Sequence, residues 1–376
     1  MKKRISNIII SLSFIAFMLF FSVANIIAPD NEISYSERRK LTSLPEFSAE
    51  ALFNKSNSGK SYFENLENYL LDQFVARDSF RALGVATRKY GLMQKDVGGI
   101  YIIGNDIFKM EYRLDENAVN RSADIYLDII KRYFTENGSN IYYTIVPDKN
   151  FYSAEANGYL SLDYDKMFAI MNHKLSDYTF IDIRDKLSAS DYYKTDLHWD
   201  QTKILGIANT ILSAMGEAGN LSQDSFTQNV YEGFAGAYYG QAALPIAKDK
   251  LIYLSNDVIA NCRVFDYESN KYADVYDTSK LGGIDSYDVF LGGARSLLRI
   301  ENPENTSGKK LIVFRDSFGS SLAPLLVSAY SEILLVDVRY LSSKNLGRFV
   351  DIADGCDVLF MYNTGTLNTT GQGAIS

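Results

Sequence analysis

Only two histidines occur in this 376-residue chain. One of them, His198, lies in Tyr192-Tyr193-Lys194-Thr195-Asp196-Leu197-His198-Trp199-Asp200, beside the only tryptophan. A carboxylate two residues before an imidazole can orient it, which makes Asp196 and His198 a candidate pair. Far downstream, Leu311-Ile312-Val313-Phe314-Arg315-Asp316-Ser317-Phe318-Gly319 offers the Ser317 hydroxyl. A serine hydroxyl is a poor nucleophile until a base takes its proton, and histidine is the usual base near neutral pH. With so few histidines the choice of base is narrow, and Ser-His-Asp acyl chemistry is the candidate.

Placement of these residues depends on alternating elements from about residue 96 onward. Val119, Ala123, Tyr126, Ile130 and Tyr133 share one helical face, with Asn137-Gly138 as an expected stop. Ile141–Val146 and Tyr178–Ile183 read as strands, and Leu205–Met215 as a helix closed by Gly216. Leu311–Phe314, Ile333–Val338 and Val358–Met361 are further short apolar strands, the first two separated by a helical stretch. Repeated β-α-β units predict a largely parallel sheet covered by helices on both faces.

In such sheets ligands bind at the carboxyl ends of strands. Ser317 would then sit near a helix N-terminus, where free N–H groups can stabilise an oxyanion. Ser320 or Ser321 is the expected cap of that helix, with Pro324 in its first turn. The competing reading is that Asp316 and Ser317 are only cap residues. His198 could likewise be a packed structural histidine, Asp196 a turn residue, and Asp200 the cap of a helix starting near Gln201. His173 reads as a solvated helix position. The combination of Asp-x-His-Trp, a helix, and a strand ending in Asp-Ser-Phe-Gly favours the catalytic reading.

The N-terminus sets the location. Lys2, Lys3 and Arg4 precede an uncharged run from Ile5 to Pro29, long enough for the roughly 20 apolar residues that a bilayer span requires. Basic residues before the run, with Asp30 and Glu32 after it, favour a body outside the membrane. The expected divisions are a cytoplasmic start (1–6), a transmembrane signal anchor (7–28), a helical stalk (29–94) and a catalytic domain (95–376). Ala24 and Ala28 leave signal cleavage and secretion as the alternative. Within the domain, 221–298 breaks into aromatic and glycine-rich pieces such as Tyr231-Glu232-Gly233-Phe234-Ala235-Gly236, expected as a substrate-facing insertion.

Composition narrows the partners. A net charge of −8 argues against nucleic acid or anionic lipid as a ligand. Two cysteines, Cys262 and Cys356, are too few for a disulfide framework or a zinc site. Whether they pair is open. No His-rich or clustered carboxylate signature suggests a metal, so neither metal nor other cofactor is expected. The 27 Tyr and 22 Phe suit a sugar-binding cleft as well as ordinary packing.

These motifs resemble the DHHW family, a group similar to acetyltransferase proteins of alginate biosynthesis and related to SGNH hydrolases. Tyr35-Ser36-Glu37-Arg38-Arg39-Lys40-Leu41 through Pro45-Glu46-Phe47 resembles the family's opening, as do Asp72-Gln73-Phe74 and Arg77-Asp78. Val146-Pro147-Asp148-Lys149-Asn150-Phe151-Tyr152 resembles its Pro-x-Lys-x-x-x-Tyr-like segment, less one spacer. Asp337-Val338-Arg339-Tyr340 and Tyr362-Asn363 also fit. The name-giving Asp-His-His-Trp is here Asp196-Leu197-His198-Trp199. Ala294 follows Gly292-Gly293 where the pattern leads one to expect an asparagine.

The resemblance implies an SGNH hydrolase-like three-layer α/β fold behind the anchor and stalk. It implies Ser317 as nucleophile, His198 as base, Asp196 as orienting carboxylate, and the amides of Ser317 and Gly293 at the oxyanion. Lys149, Tyr152, Trp199, Arg339, Tyr362 and Asn363 would contact substrate or stand behind the triad. The acceptor implied is a cell-surface polysaccharide, and a membrane-bound O-acyltransferase would hand over acetyl groups. An esterase using the same residues, or an inactive polysaccharide-binding scaffold, are the alternatives.

Overall fold

The main body is organised around an eight-stranded sheet. The computed structural model describes residues 2–53, 59–135, 138–349, 352 and 354–369. The chain divides into two units, Met1–Val97 with Gly240–Pro245, and Gly98–Tyr239 with Ile246–Ser376.

In the larger unit the sheet strands are β1 (Asn140–Val146), β2 (Thr179–Phe180), β3 (Arg263–Asp266), β4 (Lys271–Ala273), β5 (Leu297–Glu301), β6 (Lys310–Arg315), β7 (Glu332–Val336) and β8 (Asp357–Asn363). Their order is β4-β3-β5-β7-β6-β8-β1-β2. The five strands from β7 to β2 run parallel, and β5, β3 and β4 add an antiparallel edge. The sheet is thus mainly parallel, as expected. Part of the 221–298 stretch supplies that antiparallel edge, and another part forms a hairpin of Thr227–Phe234 with Asp249–Ser255.

Alternation along the central strands builds two cores. Leu311 and Val313 face one side, with helices α3 (Leu205–Ala214) and α4 (Phe318–Leu326). Ile312 and Phe314 face the other, with α1 (Glu116–Tyr133) and α2 (Tyr164–Lys174). A strand buried on both faces must be apolar at every position, which explains the unbroken runs in β6 and β8. The result is a helix–sheet–helix sandwich. His173 is exposed on α2, as its neighbours suggested. Asn137, the expected stop of α1, lies outside the described residues.

Two local expectations need correction. The strand expected over Tyr178–Ile183 pairs only at Thr179 and Phe180. It lies at the sheet edge, and the Asp182 carboxylate accepts from the Arg184 amide, turning the chain away. The helix after Ser317 begins at Phe318, so Ser320 and Ser321 are buried inside it and Pro324 stands in its second turn. The reason is that Asp316 caps the helix one turn earlier than expected, accepting from the Phe318 amide at 3.1 Å.

The smaller unit opens with a helix, Lys2–Ile27, long and apolar enough over Arg4–Ile27 to cross a membrane. Helices Tyr62–Asp72 and Arg77–Ala86 follow. The Glu37-to-Arg39 segment is clasped to them. Arg39 reaches Asp72 at 2.5 and 3.0 Å, while Arg77 and Arg81 reach Glu37 at 2.7 and 3.1 Å. The guanidinium of Arg39 holds the Asp72 carboxyl well below the usual carboxylate range.

Candidate active site

The carboxyl ends of four parallel strands meet here, as the β-α-β pattern requires. β1 leads into Lys149, β6 into Ser317, β7 into Arg339, and β8 ends at Asn363. The turn after β6 is fixed by Asp316, whose second oxygen accepts from the Asn363 amide and the Thr366 hydroxyl, both at 2.8 Å. Because Asp316 does the capping, Ser317 makes no cap bond of its own. Its hydroxyl is left for other work.

That hydroxyl donates to His198 Nε2 at 2.7 Å. On the other side of the ring, Nδ1 donates to Asp196 Oδ1 at 2.6 Å. A carboxylate only accepts, so this contact places the ring proton on Nδ1 and leaves Nε2 to accept from serine. Asp196 is fully buried and His198 is 6% exposed, whereas Ser317 is only partly covered. A hydroxyl so bonded can lose its proton to the imidazole as it attacks a carbonyl carbon.

The loop carrying Asp196 and His198 has no regular structure of its own, so it is held from outside. Lys149 Nζ donates to the carbonyls of Tyr193 at 2.9 Å, Lys194 at 3.1 Å and Ile107 at 3.1 Å. Burial pushes this lysine down to about 8. Asp249 accepts from the Lys194 and Thr195 amides at 3.0 and 2.8 Å. The second Asp196 oxygen accepts from the Ala237 amide at 2.6 Å. Gly236 lies so close that a Cβ there would come within 2.3 Å of Asp196 Cβ.

The other expected residues take different positions. Trp199 is fully buried and donates from Nε1 to Ser321 Oγ at 2.8 Å, tying the histidine segment to α4. Tyr152 donates to the Arg184 carbonyl, and Asn363 donates to the Val146 carbonyl. Both brace neighbouring loops. Asp200 caps the short turn at Gln201–Lys203, as anticipated. Tyr362 is wholly buried on the opposite face, beside Tyr126. Arg339 is gripped by Asp337 at 2.6 Å but stays partly exposed.

Of the two amides expected at an oxyanion, Ser317 N–H has no acceptor among the described residues. Gly293 N–H already donates to the Phe290 carbonyl at 3.2 Å. Gly293 takes φ of +87° against the Asp288 carboxylate, a conformation that favours glycine.

Asp249, Gly236, Ala237 and Tyr287 also contribute, and motif reading did not single them out; Ser321, expected only as a helix cap, instead accepts from Trp199 and Tyr287. Tyr287 lies flat on the His198 ring. Only Gly236 left a trace, in the aromatic and glycine-rich break of pattern.

The sequence from Lys149 to Val336 matches the family described as DHHW protein. The chain belongs to the DHHW family. Among solved structures, a DHHW family protein from Eubacterium siraeum DSM 15702 superposes at TM-score 0.61 with 18% identity, over 74% of this chain and 94% of that one. Bacillus cereus PatB1 superposes at 0.59 with 15% identity, over 72% and 98%. PatB1 with a sulfonyl adduct gives 0.60 with 14% identity, over 74% and 98%. At these identities the likeness concerns the fold. No curated protein matches the sequence.

Proposed function

We propose that this DHHW protein is a membrane-anchored, extracytoplasmic O-acetyltransferase acting on a cell-surface polysaccharide through an acyl-enzyme on Ser317. The observation that carries the reading is the continuous Ser317–His198–Asp196 hydrogen-bonded line, 2.7 and 2.6 Å long at its two links. The acetyl and polysaccharide parts rest on the resemblance of the Asp196–Trp199 and Leu311–Gly319 motifs to acetyltransferase proteins. Lys2, Lys3 and Arg4 at the start of Lys2–Ile27, with Asp30 and Glu32 after its end, support a body outside the membrane.

In the first half-reaction Ser317 Oγ attacks the acetyl carbonyl while its proton passes to His198 Nε2. The Ser317 amide stabilises the negative oxygen. As the donor's C–O or C–S bond breaks, the leaving group takes the proton from Nε2. An acceptor hydroxyl then surrenders its proton to Nε2, attacks the acyl-enzyme, and regenerates serine. Asp196 holds the ring and stabilises its charged form throughout. Acetyl groups would arrive from a membrane-bound O-acyltransferase.

The test is turnover of a chromogenic acetyl ester with and without an oligosaccharide acceptor. Wild-type protein should acetylate the sugar, Ser317→Ala should lose the activity, and a sulfonyl fluoride should label Ser317 by mass spectrometry. Turnover unchanged in Ser317→Ala would end the covalent reading. Acetate released to water at a rate indifferent to the sugar would replace transfer with hydrolysis.

A further inference from the structure

The apolar N-terminal helix and the two helices that follow share one apolar surface. Near the end of Lys2–Ile27, Phe21, Ala24, Asn25 and Ala28 are partly covered, while Phe20, Val23 and Ile26 stay exposed. That i, i+3, i+4, i+7 spacing marks one face in contact with something. The contact is the turn between Tyr62–Asp72 and Arg77–Ala86. The Phe21 ring stacks on Phe74 at 5.6 Å and meets Phe80 edge-on at 5.4 Å, and Phe74 meets Phe80 at 5.6 Å. Asn25 Oδ1 accepts from the Val75 amide at 2.7 Å.

This packing fixes the height of the turn. Phe21 lies six residues before Ile27, which is about 9 Å along a helix rising about 1.5 Å per residue. If Lys2–Ile27 spans a bilayer, Phe21 is at the edge of the hydrocarbon, so Phe74 and Phe80 are there too. The side chains around them suit that depth. Leu70, Leu71 and Leu83 are 57%, 60% and 62% exposed. The charged side chains nearest the turn are paired, Asp72 with Arg39, Arg77 and Arg81 with Glu37, and Asp78 with Ser36 and Arg77. Glu64 and Glu67 lie farther along the first helix, and Arg88 and Lys89 past the second. Phe63, at the far end, meets Tyr62 in a separate ring cluster.

We propose that the tip of this helical hairpin, carried by Leu70, Leu71, Phe74, Phe80 and Leu83, is seated in the outer leaflet of the bilayer that Lys2–Ile27 crosses. The proposal rests on reading that helix as a span. Amphipathic surfaces enter the headgroup–acyl boundary by about 5–10 Å, and leucine and phenylalanine are the side chains that do so. A lipid surface accounts for the exposed leucines and for their continuity with the span. Two points of attachment would restrain the tilt of the stalk, which a single helix leaves free.

The experiment uses the full chain in phosphatidylethanolamine–phosphatidylglycerol vesicles. An environment-sensitive dye is attached at Leu71→Cys, Leu83→Cys, Arg88→Cys or Phe14→Cys, with unsubstituted protein as the background for Cys262 and Cys356. Spin-labelled lipid should quench Leu71→Cys and Leu83→Cys strongly and aqueous iodide weakly, with the reverse at Arg88→Cys. Iodide quenching at 71 and 83, with lipid quenching at 14, overturns the seating and leaves the span intact. Protection from both quenchers means a protein contact and also overturns it. Absence of lipid quenching at 14 removes the span itself, and the seating with it.

Discussion

The Tyr287 ring lies flat on the His198 imidazole, with centroids 3.9 Å apart and planes 8° apart. Tyr287 is fixed in turn by its hydroxyl, which donates to Ser321 Oγ at 2.8 Å, the same oxygen that receives Trp199 Nε1–H. One serine of α4 therefore joins the ring behind the base to the tryptophan beside it. In the proposed mechanism His198 becomes a cation on taking the proton of Ser317, and an aromatic face stabilises a cation stacked on it.

The ring and the hydroxyl of Tyr287 therefore do separable jobs. Tyr287→Leu should lower kcat/KM for an acetyl ester by about 2- to 30-fold, the equivalent of about 0.5–2 kcal/mol of cation–π stabilisation. Tyr287→Phe keeps the ring and should retain most of the rate, while losing about 0.5–1.5 kcal/mol of stability with its hydrogen bond. Steady-state kinetics and urea unfolding on both variants check this. Equal rates for the leucine and phenylalanine variants would show that the stacked ring contributes nothing to the base.

Gly236 tests how closely Asp196 must be held. A methyl group there would lie 2.3 Å from Asp196 Cβ and 2.6 Å from the Thr195 carbonyl oxygen, closer than atoms can approach. Gly236→Ala should push the carboxylate off Nδ1 and cost about 1–3 kcal/mol in overpacking. Its rate should fall toward that of Asp196→Asn, about 10⁴-fold below wild type if the triad behaves as others do. A Gly236→Ala protein with full activity would mean that the 235–237 loop yields without disturbing the carboxylate.

Much of this architecture was legible because its residues announce themselves locally. Apolar runs such as Leu311–Phe314 can only be buried strands, and Asp-x-His-Trp with Asp-Ser-Phe-Gly carries its own spacing. Cap chemistry was harder to place, since Asp316 and Ser317 are both good caps and only the partners of Asp316 in β8 and beyond decide between them. Tyr287 and Asp249 were invisible, and the role of Gly236 was hidden, for a further reason. Each acts on a residue 40 to 89 positions away along the chain, and nothing about a single tyrosine among 27 marks it as the one stacked on histidine.

The cysteines, left open by composition, are resolved by the sheet. Cys262 packs in the core on one face and Cys356 in the core on the other, and both are free. Burial pushes the Cys262 thiol up to about 11 and Cys356 upward as well. The thiolate is the reactive form, so both should resist a disulfide reagent at about pH 8 in the folded protein. Unfolding in denaturant should release two reactive thiols. Rapid titration of either thiol before unfolding would contradict the packing.

Lys149 ties the loop to the sheet, and its removal should be felt at the active site without any contact to the triad. Lys149→Met leaves the carbonyls of Ile107, Tyr193 and Lys194 without their shared donor, at about 1–3 kcal/mol for each that stays buried and unpaired. Rate should fall as residues 193–198 loosen. The pH dependence has a definite sign, because burial lowers Lys149 to about 8 from 10.5. Between those values the unfolded chain holds more protons at this side chain than the folded one, so this contribution to stability increases as pH rises through that window. Below about pH 8 both states are protonated and the buried charge weighs fully against folding. Urea unfolding at about pH 7 and about pH 10 should show this rise in wild type, superimposed on other titrations, and a smaller one in Lys149→Met. Identical pH profiles for the two proteins would show that Lys149 keeps an ordinary ammonium.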